Sequence, residues 1–114
     1  MRWWNCILVG SATLILSTAN SSAEEFTAAD VLAWKKETQD WYFETSIAMA
    51  ASIATRNPTG HAECINDWYY APTSGREEAH RFIRETLAKF SGHSPETVLI
   101  AVIEKACGSL NFQE

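Results

Sequence analysis

The sequence has few basic residues and lacks several motifs that carry well-known chemistry. It contains 9 Lys and Arg against 14 Asp and Glu, and its formal net charge is −5. Clustered basic charge binds nucleic acid and anionic membranes, so we expect neither as a partner. A glycine-rich phosphate loop, a Gly-x-Ser-x-Gly motif and an Asn-Gly or Asp-Gly hairpin signal are also missing. The 114 residues fit one domain at most.

The N-terminal residues have the layout of a cleavable signal peptide. Arg2 is the only charge before Glu24, and an apolar stretch follows it. Ser21 and Ala23 place small residues at positions −3 and −1 of a signal-peptidase site. An uncleaved membrane anchor is the alternative, but the apolar stretch is shorter than the roughly 20 residues of a spanning helix. We predict that residues 1–23 are a signal peptide, and that 24–114 form one exported domain with no membrane span.

Cleavage would also remove Cys6, which leaves Cys64 and Cys107 in the mature chain. An even number of cysteines in an exported protein favours a disulfide, because the destination is oxidising. Such a bond would remove roughly 4 kcal/mol of unfolded-state freedom on the chain-entropy account. Two separate buried thiols are the alternative. We predict a Cys64–Cys107 disulfide.

The first segment of the mature chain has a helical pattern. Thr27–Asp30 resembles a capping box, and from Val31 the apolar residues follow a three–four spacing. No Gly or Pro interrupts this pattern before Asn57-Pro58, so we expect one unbroken helix. Its second half, Ser46–Ala54, is rich in small residues that let another helix approach closely. We expect that half to be buried.

A second helix is indicated after residue 74. Ser74 and Glu77 form a capping box, and an amphipathic stripe follows them. Gly92 suits the left-handed residue that ends such a helix. These signals predict an exposed charged face and a buried apolar face.

A third helix begins at Ser94 and Pro95, which suit the cap and the first helical position. It is apolar on nearly all sides at 98–103, and Gly108 marks its end. Residues 61–70 form either a short helix or an extended piece. The sequence therefore predicts an all-α fold, a small bundle of three main helices plus a possible short fourth, with one disulfide.

No group of residues forms a convincing catalytic or metal site. His61, Glu63 and Cys64 are metal-ligating types, but zinc sites pair ligands at short spacing and no second pair follows. His80 lies three residues after Glu77, a spacing that permits an acid/base pair but is typical of an ordinary surface contact. We expect no metal, no cofactor and no enzymatic activity.

The cluster of Trp68, Tyr69 and Tyr70 is the best candidate for a binding surface. Aromatic side chains belong in the core by default. A mature chain of this size cannot easily bury all of its aromatics, and aromatic residues are enriched at protein interfaces. We predict that these three residues form an exposed patch that contacts a protein partner.

The order of segments along the mature chain is shared with a known family. Phe26–Leu32 follows the signal peptide, a small-residue helix follows at Ile47–Ala54, and Cys64 precedes a terminal helix that ends in Cys107. In this order the chain resembles the Rap/Tai-type immunity proteins of type VI secretion, small helical periplasmic proteins that neutralise a peptidoglycan-amidase effector. Unlike many members, it has Trp34 and no cysteine in the first helix. The resemblance implies a periplasmic, non-enzymatic inhibitor whose partner is a cell-wall amidase.

Two other functions are compatible with the sequence. The spacing of Cys64 and Trp68 is similar to that in HdeA/HdeB-type acid-stress periplasmic chaperones, which are also small, helical and held by one disulfide. That resemblance implies a homodimer at neutral pH that loosens in acid. The other alternative is a structural protein of the envelope.

Overall fold

A computed structural model describes residues 25–57 and 59–110, all helices and connecting turns. The predicted signal peptide, 1–23, and its cleavage site lie outside this range. The helices are α1 (Ala28–Leu32), α2 (Lys36–Ala54), α3 (His61–Ile65), α4 (Gly75–Lys89) and α5 (Pro95–Cys107), with a π-helical turn (Asn66–Tyr70) directly after α3. The predicted all-α bundle is confirmed, and the described residues contain no strand.

The first predicted helix is two helices, so the expectation of an unbroken run was wrong. α1 ends at Leu32, and Lys35 is extended before α2 begins. The side-chain amide of Gln39 donates to the carbonyl oxygens of Leu32 and Trp34 at 3.2 and 3.0 Å. These bonds satisfy carbonyls that a continuous helix would have used, because the end of a helix leaves such groups without partners. The break therefore depends on a polar side chain and not on Gly or Pro.

The start of α1 is held from two sides. The backbone N–H of Thr27 donates to the Asp30 carboxylate at 2.9 Å, as the predicted capping box requires. The N–H groups of Ala28 and Ala29 donate to the carbonyl oxygens of His93 and Ser91, at 2.8 and 3.0 Å. This short helix is thereby fixed against the turn between α4 and α5.

All the helices contribute to one apolar core. Its largest fully buried side chains include Phe43 and Ile47 of α2, Ile65 of α3 and Tyr69 of the π-helical turn. The remaining core residues are Ala28, Val31, Ala79, Ile83, Leu87, Val98, Leu99, Val102 and Ile103. Burying a side chain the size of Phe43 stabilises the fold by roughly 2–3 kcal/mol.

The second half of α2 is more exposed than its composition predicted. Within Ser46–Ala54, only Ile47 and Ala54 are fully buried, whereas Met49 and Ile53 are exposed. Both α3 and α5 pack against α2, but neither covers the side on which Met49 and Ile53 lie.

α4 and α5 begin at the predicted residues. One capping contact and the end of α4 differ from the prediction. The Ser94 hydroxyl accepts from the Thr97 N–H, Pro95 is the first residue of α5, and Gly108 ends that helix at φ 92°.

Ser74 precedes α4 as expected, but its hydroxyl donates to Glu78 at 3.3 Å and not into a capping box with Glu77. α4 already ends at Lys89, so Gly92 is not its left-handed terminator.

Gly75 allows α4 to start in direct contact with the π-helical turn. A Cβ at this position would lie 2.9 Å from the Tyr69 carbonyl oxygen and 3.0 Å from that of Trp68. Both are backbone atoms, which cannot rotate away. Only glycine fits this close approach without a shift of the turn.

We expect Gly75→Ala to lower the free energy of unfolding by about 1–3 kcal/mol, although Ala is the better helix former. Gly92→Ala is the matched control. A Cβ there meets no atom within 4 Å, so the change should be neutral or slightly stabilising. Urea unfolding followed by circular dichroism measures both. An equal effect of the two substitutions would contradict the contact at Gly75.

The predicted disulfide is present. Cys64 in α3 is bonded to Cys107, the last residue of α5, with their Cα atoms 5.7 Å apart. The bond ties the C-terminal end of the bundle to the segment that follows α2.

Candidate functional site

Beneath the surface between α2 and α4, a histidine joins three elements of the bundle. His80 of α4 is only 5% exposed. Its Nδ1 lies 3.0 Å from Asp40 Oδ1 on α2, and its Nε2 lies 2.7 Å from the hydroxyl of Tyr69 in the π-helical turn. A carboxylate can only accept, so Nδ1 carries the proton and Nε2 accepts from the Tyr69 hydroxyl. Both contacts are satisfied by one tautomer of neutral histidine.

Asp40 is the centre of the charged half of this network. It is paired with Arg84 of α4 and, at 3.0 Å, with Lys36 one turn earlier on α2. Arg84 also donates through Nε to the Gln39 side chain at 2.7 Å. Burial raises the pKa of Asp40, but its bonds to Lys36 and Arg84 outweigh that effect and leave the pKa below its usual value.

Burial acts on the pKa of His80 in the direction opposite to its effect on Asp40, because the charged form of histidine is the protonated one. Loss of solvation lowers the pKa of His80 below its usual value, although the neighbouring Asp40 carboxylate attracts the proton. Burial, together with the negative charge of Glu44, raises the pKa of Tyr69. The Tyr69 hydroxyl therefore keeps its proton, and the histidine is held neutral between two partners.

His80 and Tyr69 connect elements of the fold and are engaged with partners inside it. The Tyr69 side chain is 1% exposed, and both ring nitrogens of His80 already have partners. A general base must reach the proton that it removes. The cleft above the network measures about 630 Å³ and has four basic and four acidic side chains in its lining, so it favours neither sign of ligand charge.

The structure corrects the interpretation of His80 as a surface residue that contacts Glu77. Its partners, Asp40 and Tyr69, are 40 and 11 residues away in the chain. A signal was present in the sequence, because His80 precedes Ile83 by three residues and Leu87 by seven. It therefore belongs to the buried face of α4.

The predicted Trp68–Tyr69–Tyr70 patch is divided by the fold. Tyr69 is in the core, where its hydroxyl contacts His80, so its predicted exposure was wrong. Trp68 is partly buried against the core, whereas Tyr70 is 42% exposed. Only Tyr70 and the open edge of Trp68 remain available to a partner.

A larger uncovered apolar surface lies on the opposite side of α2, facing α5. We call it the α2/α5 groove. Its volume is about 610 Å³. Met49, Ile53 and Ile100 are 62, 46 and 48% exposed along it. The apolar lining consists of Met49, Ala50, Ile53, Leu99, Ile100, Ile103 and Leu110.

This groove was not predicted, because both of its walls have the composition of buried helices. Ser46–Ala54 was predicted to be buried against another helix, and residues 98–103 are apolar on nearly all sides of their helix. In the fold, Leu99 and Ile103 are buried, but Ile100 and Met49 face outward. Composition alone does not distinguish a covered apolar face from an open one.

The described residues contain no cluster of three or more His, Cys, Asp or Glu side chains arranged to hold a metal ion. Among the same residues, no helix has the length and apolarity needed to cross a bilayer. Searches against protein families, curated proteins and solved structures found no match to this chain.

Proposed function

We propose that this chain is an exported, non-enzymatic protein that binds a protein partner. The observation that carries the proposal is the α2/α5 groove, in which three large apolar side chains are about half exposed or more. Single exposed apolar residues are ordinary, but several that line one cleft of this volume favour a binding site. The disulfide at the end of α5 supports this role, because a rigid surface loses less entropy on binding.

Within that class, we propose an immunity-type inhibitor of a peptidoglycan-amidase effector, acting in the periplasm. The order of segments shared with the Rap/Tai-type proteins supports this role. The groove offers a surface to which the effector could bind. An inhibitor of this kind needs such a surface and no catalytic groups.

The test is inhibition of a secreted peptidoglycan amidase encoded beside this gene. We expect the mature chain, 24–114, to abolish hydrolysis at equimolar concentration and neutral pH. Met49→Glu and Ile100→Glu should each weaken inhibition by about 30-fold or more, because each places a charge in the centre of an apolar interface. Residual hydrolysis measured against inhibitor concentration gives the inhibition constant.

Ala48→Glu and Ala101→Glu are the matched controls. Each adds the same charge to an exposed neighbouring position that does not line the groove. They should inhibit like the native chain. If no such amidase is encoded nearby, or if equimolar protein leaves hydrolysis unchanged, the immunity role is wrong.

The buried histidine favours one other candidate, an acid-stress chaperone of the HdeA/HdeB type. Burial of His80 opposes its protonation, and a proton on Nε2 would remove the lone pair that accepts from the Tyr69 hydroxyl. Such a protein would loosen in acid and hold unfolded proteins. Light scattering of an aggregating client protein at pH 3 separates the two roles, because an immunity protein should not suppress it.

A further inference from the structure

The shape of the α2/α5 groove limits what kind of segment can occupy it. Its two walls are Thr45–Ile53 of α2 and Glu96–Glu104 of α5. Eight helical steps on each wall correspond to a length of about 12 Å. Leu99 and Ile103 form the floor, and Met49, Ile53 and Ile100 project beside it. A cleft of this length between two helices matches about two turns of a third helix.

The charge of the groove is of one sign. Glu96 and Glu104 stand near the two ends of the α5 wall, and no Lys or Arg among the described residues lines it. Glu96 accepts from the Tyr42 hydroxyl at 3.1 Å, and Glu104 accepts from the Leu110 N–H at 2.9 Å. Both donors are neutral, so they leave the negative charge of each carboxylate in place. An apolar floor thus lies between two acidic ends.

We infer that the α2/α5 groove binds a basic amphipathic α-helix of the partner protein. Three apolar side chains at positions i, i+3 or i+4, and i+7 would cover about 10 Å and fill the floor. Lys or Arg residues at the two ends of that apolar ridge would face Glu96 and Glu104. This inference rests on the proposed binding function and specifies the part of the partner that is bound.

A second copy of the chain is a poorer occupant. A symmetric pairing through this groove would bring the Glu96 and Glu104 carboxylates of the two copies toward each other. Like charges placed opposite each other at an interface are unfavourable. Arg56 lies on the adjacent surface beyond Ile53, but it does not line the groove.

Two synthetic peptides test the inference directly. The first is a 14-residue helix with Leu at positions i, i+4 and i+7, Lys at both ends of the Leu ridge, and Ala and Gln elsewhere. The second replaces each Lys with Glu. Fluorescence anisotropy at 0.1 M salt should show saturable binding of the Lys peptide to the mature chain, and binding at least tenfold weaker for the Glu peptide.

Variants of the protein separate groove binding from general attraction to an acidic surface. Met49→Glu and Ile100→Glu should reduce the affinity for the Lys peptide at least tenfold. Ala48→Glu and Ala101→Glu add the same charge outside the groove and should not reduce it. Glu96→Gln with Glu104→Gln should weaken binding and reduce its dependence on salt. Circular dichroism of each variant confirms that the fold is retained.

Three results would overturn the inference. Equal affinity of the Met49→Glu and Ala48→Glu variants for the Lys peptide would show that the peptide does not bind in the groove. The Lys and Glu peptides could bind alike, which would remove the role of the carboxylates. Sedimentation could show a dimer that Ile100→Glu dissociates, which would make a second copy the occupant.

The outcome is separable from that of the proposed function. Peptide binding through the groove without inhibition of an amidase keeps this inference and rejects the immunity role. Amidase inhibition that survives Ile100→Glu keeps the immunity role and rejects the groove as its site.

Discussion

Replacing Cys64 and Cys107 with Ala is expected to lower the free energy of unfolding by about 4 kcal/mol. The bond joins residues that are 43 positions apart, and it restricts the unfolded chain far more than the folded one. Both cysteines are only partly buried, so the packing lost with two sulfur atoms is a smaller effect. A small domain is stable by about 5–10 kcal/mol in total, so this loss is a large share. Urea unfolding of the oxidised chain and the double variant at pH 7.5 measures the difference.

The native chain treated with a reducing agent is the control for this measurement. Its unfolding midpoint should fall to that of the double variant, because both lack the same covalent link. A loss below about 1 kcal/mol would show that the unfolded chain is already restricted by other means. Free thiols in the secreted, unreduced protein would contradict the disulfide itself.

The second large effect is a loss of stability in acid that depends on His80. The pKa of His80 is below 6.5 in the fold because burial disfavours the charged ring, so the folded state binds fewer protons than the unfolded state. Its contribution to stability is therefore complete above about pH 6.5 and declines as the pH falls toward the lower folded value. Thermal unfolding midpoints measured from pH 8 to pH 4 should fall continuously below pH 6.5.

Asp40 adds a second decline at lower pH. Its pKa lies below 3.8 in the fold, so its pairs with Arg84 and Lys36 stabilise the protein above that value and are lost as the pH falls through the folded pKa. Glu44 of α2 and Arg84 of α4 also act on His80, with opposite signs. We therefore attribute the fall in stability between pH 6.5 and 4 to His80.

Variants test whether the loss of stability between pH 6.5 and 4 comes from the His80 side chain. His80→Leu should cost about 1–3 kcal/mol at pH 7.5, because it leaves the buried Tyr69 hydroxyl without its acceptor. The same variant should flatten the decline between pH 6.5 and 4. Tyr69→Phe combined with His80→Leu should recover part of the cost. His93→Gln, at an exposed position, should keep the native profile, and an unchanged slope in His80→Leu would contradict the assignment.

Local signals predicted most of the helices. Ser94 and Pro95 begin α5, Gly108 ends it, and the N–H of Thr27 is capped by Asp30. Each of these depends on residues within four positions of one another, and such neighbours interact whatever the rest of the fold does. The break after Leu32 was missed because the amide that stabilises it, that of Gln39, lies on the next helix.

The contacts of the candidate site join residues too far apart in the chain for local patterns to predict them. His80 has an ordinary spacing to Glu77, and nothing in that spacing indicates a partner 40 residues away. The π-helical turn places an extra residue in one turn of the chain, and Tyr69 thereby points inward beside an exposed Tyr70. A pattern based on α-helical spacing cannot anticipate that change.

The amino-acid sequence alone was enough to predict an acidic chain, helices with well-defined ends, and a bond between two cysteines. These properties follow from composition and short-range contacts. The packing of the helices was needed to show that His80 is buried against Asp40 and Tyr69. It was also needed to show that Met49 and Ile100 remain uncovered. Burial is set by which helix packs against which, and that choice depends on contacts between residues far apart in the chain.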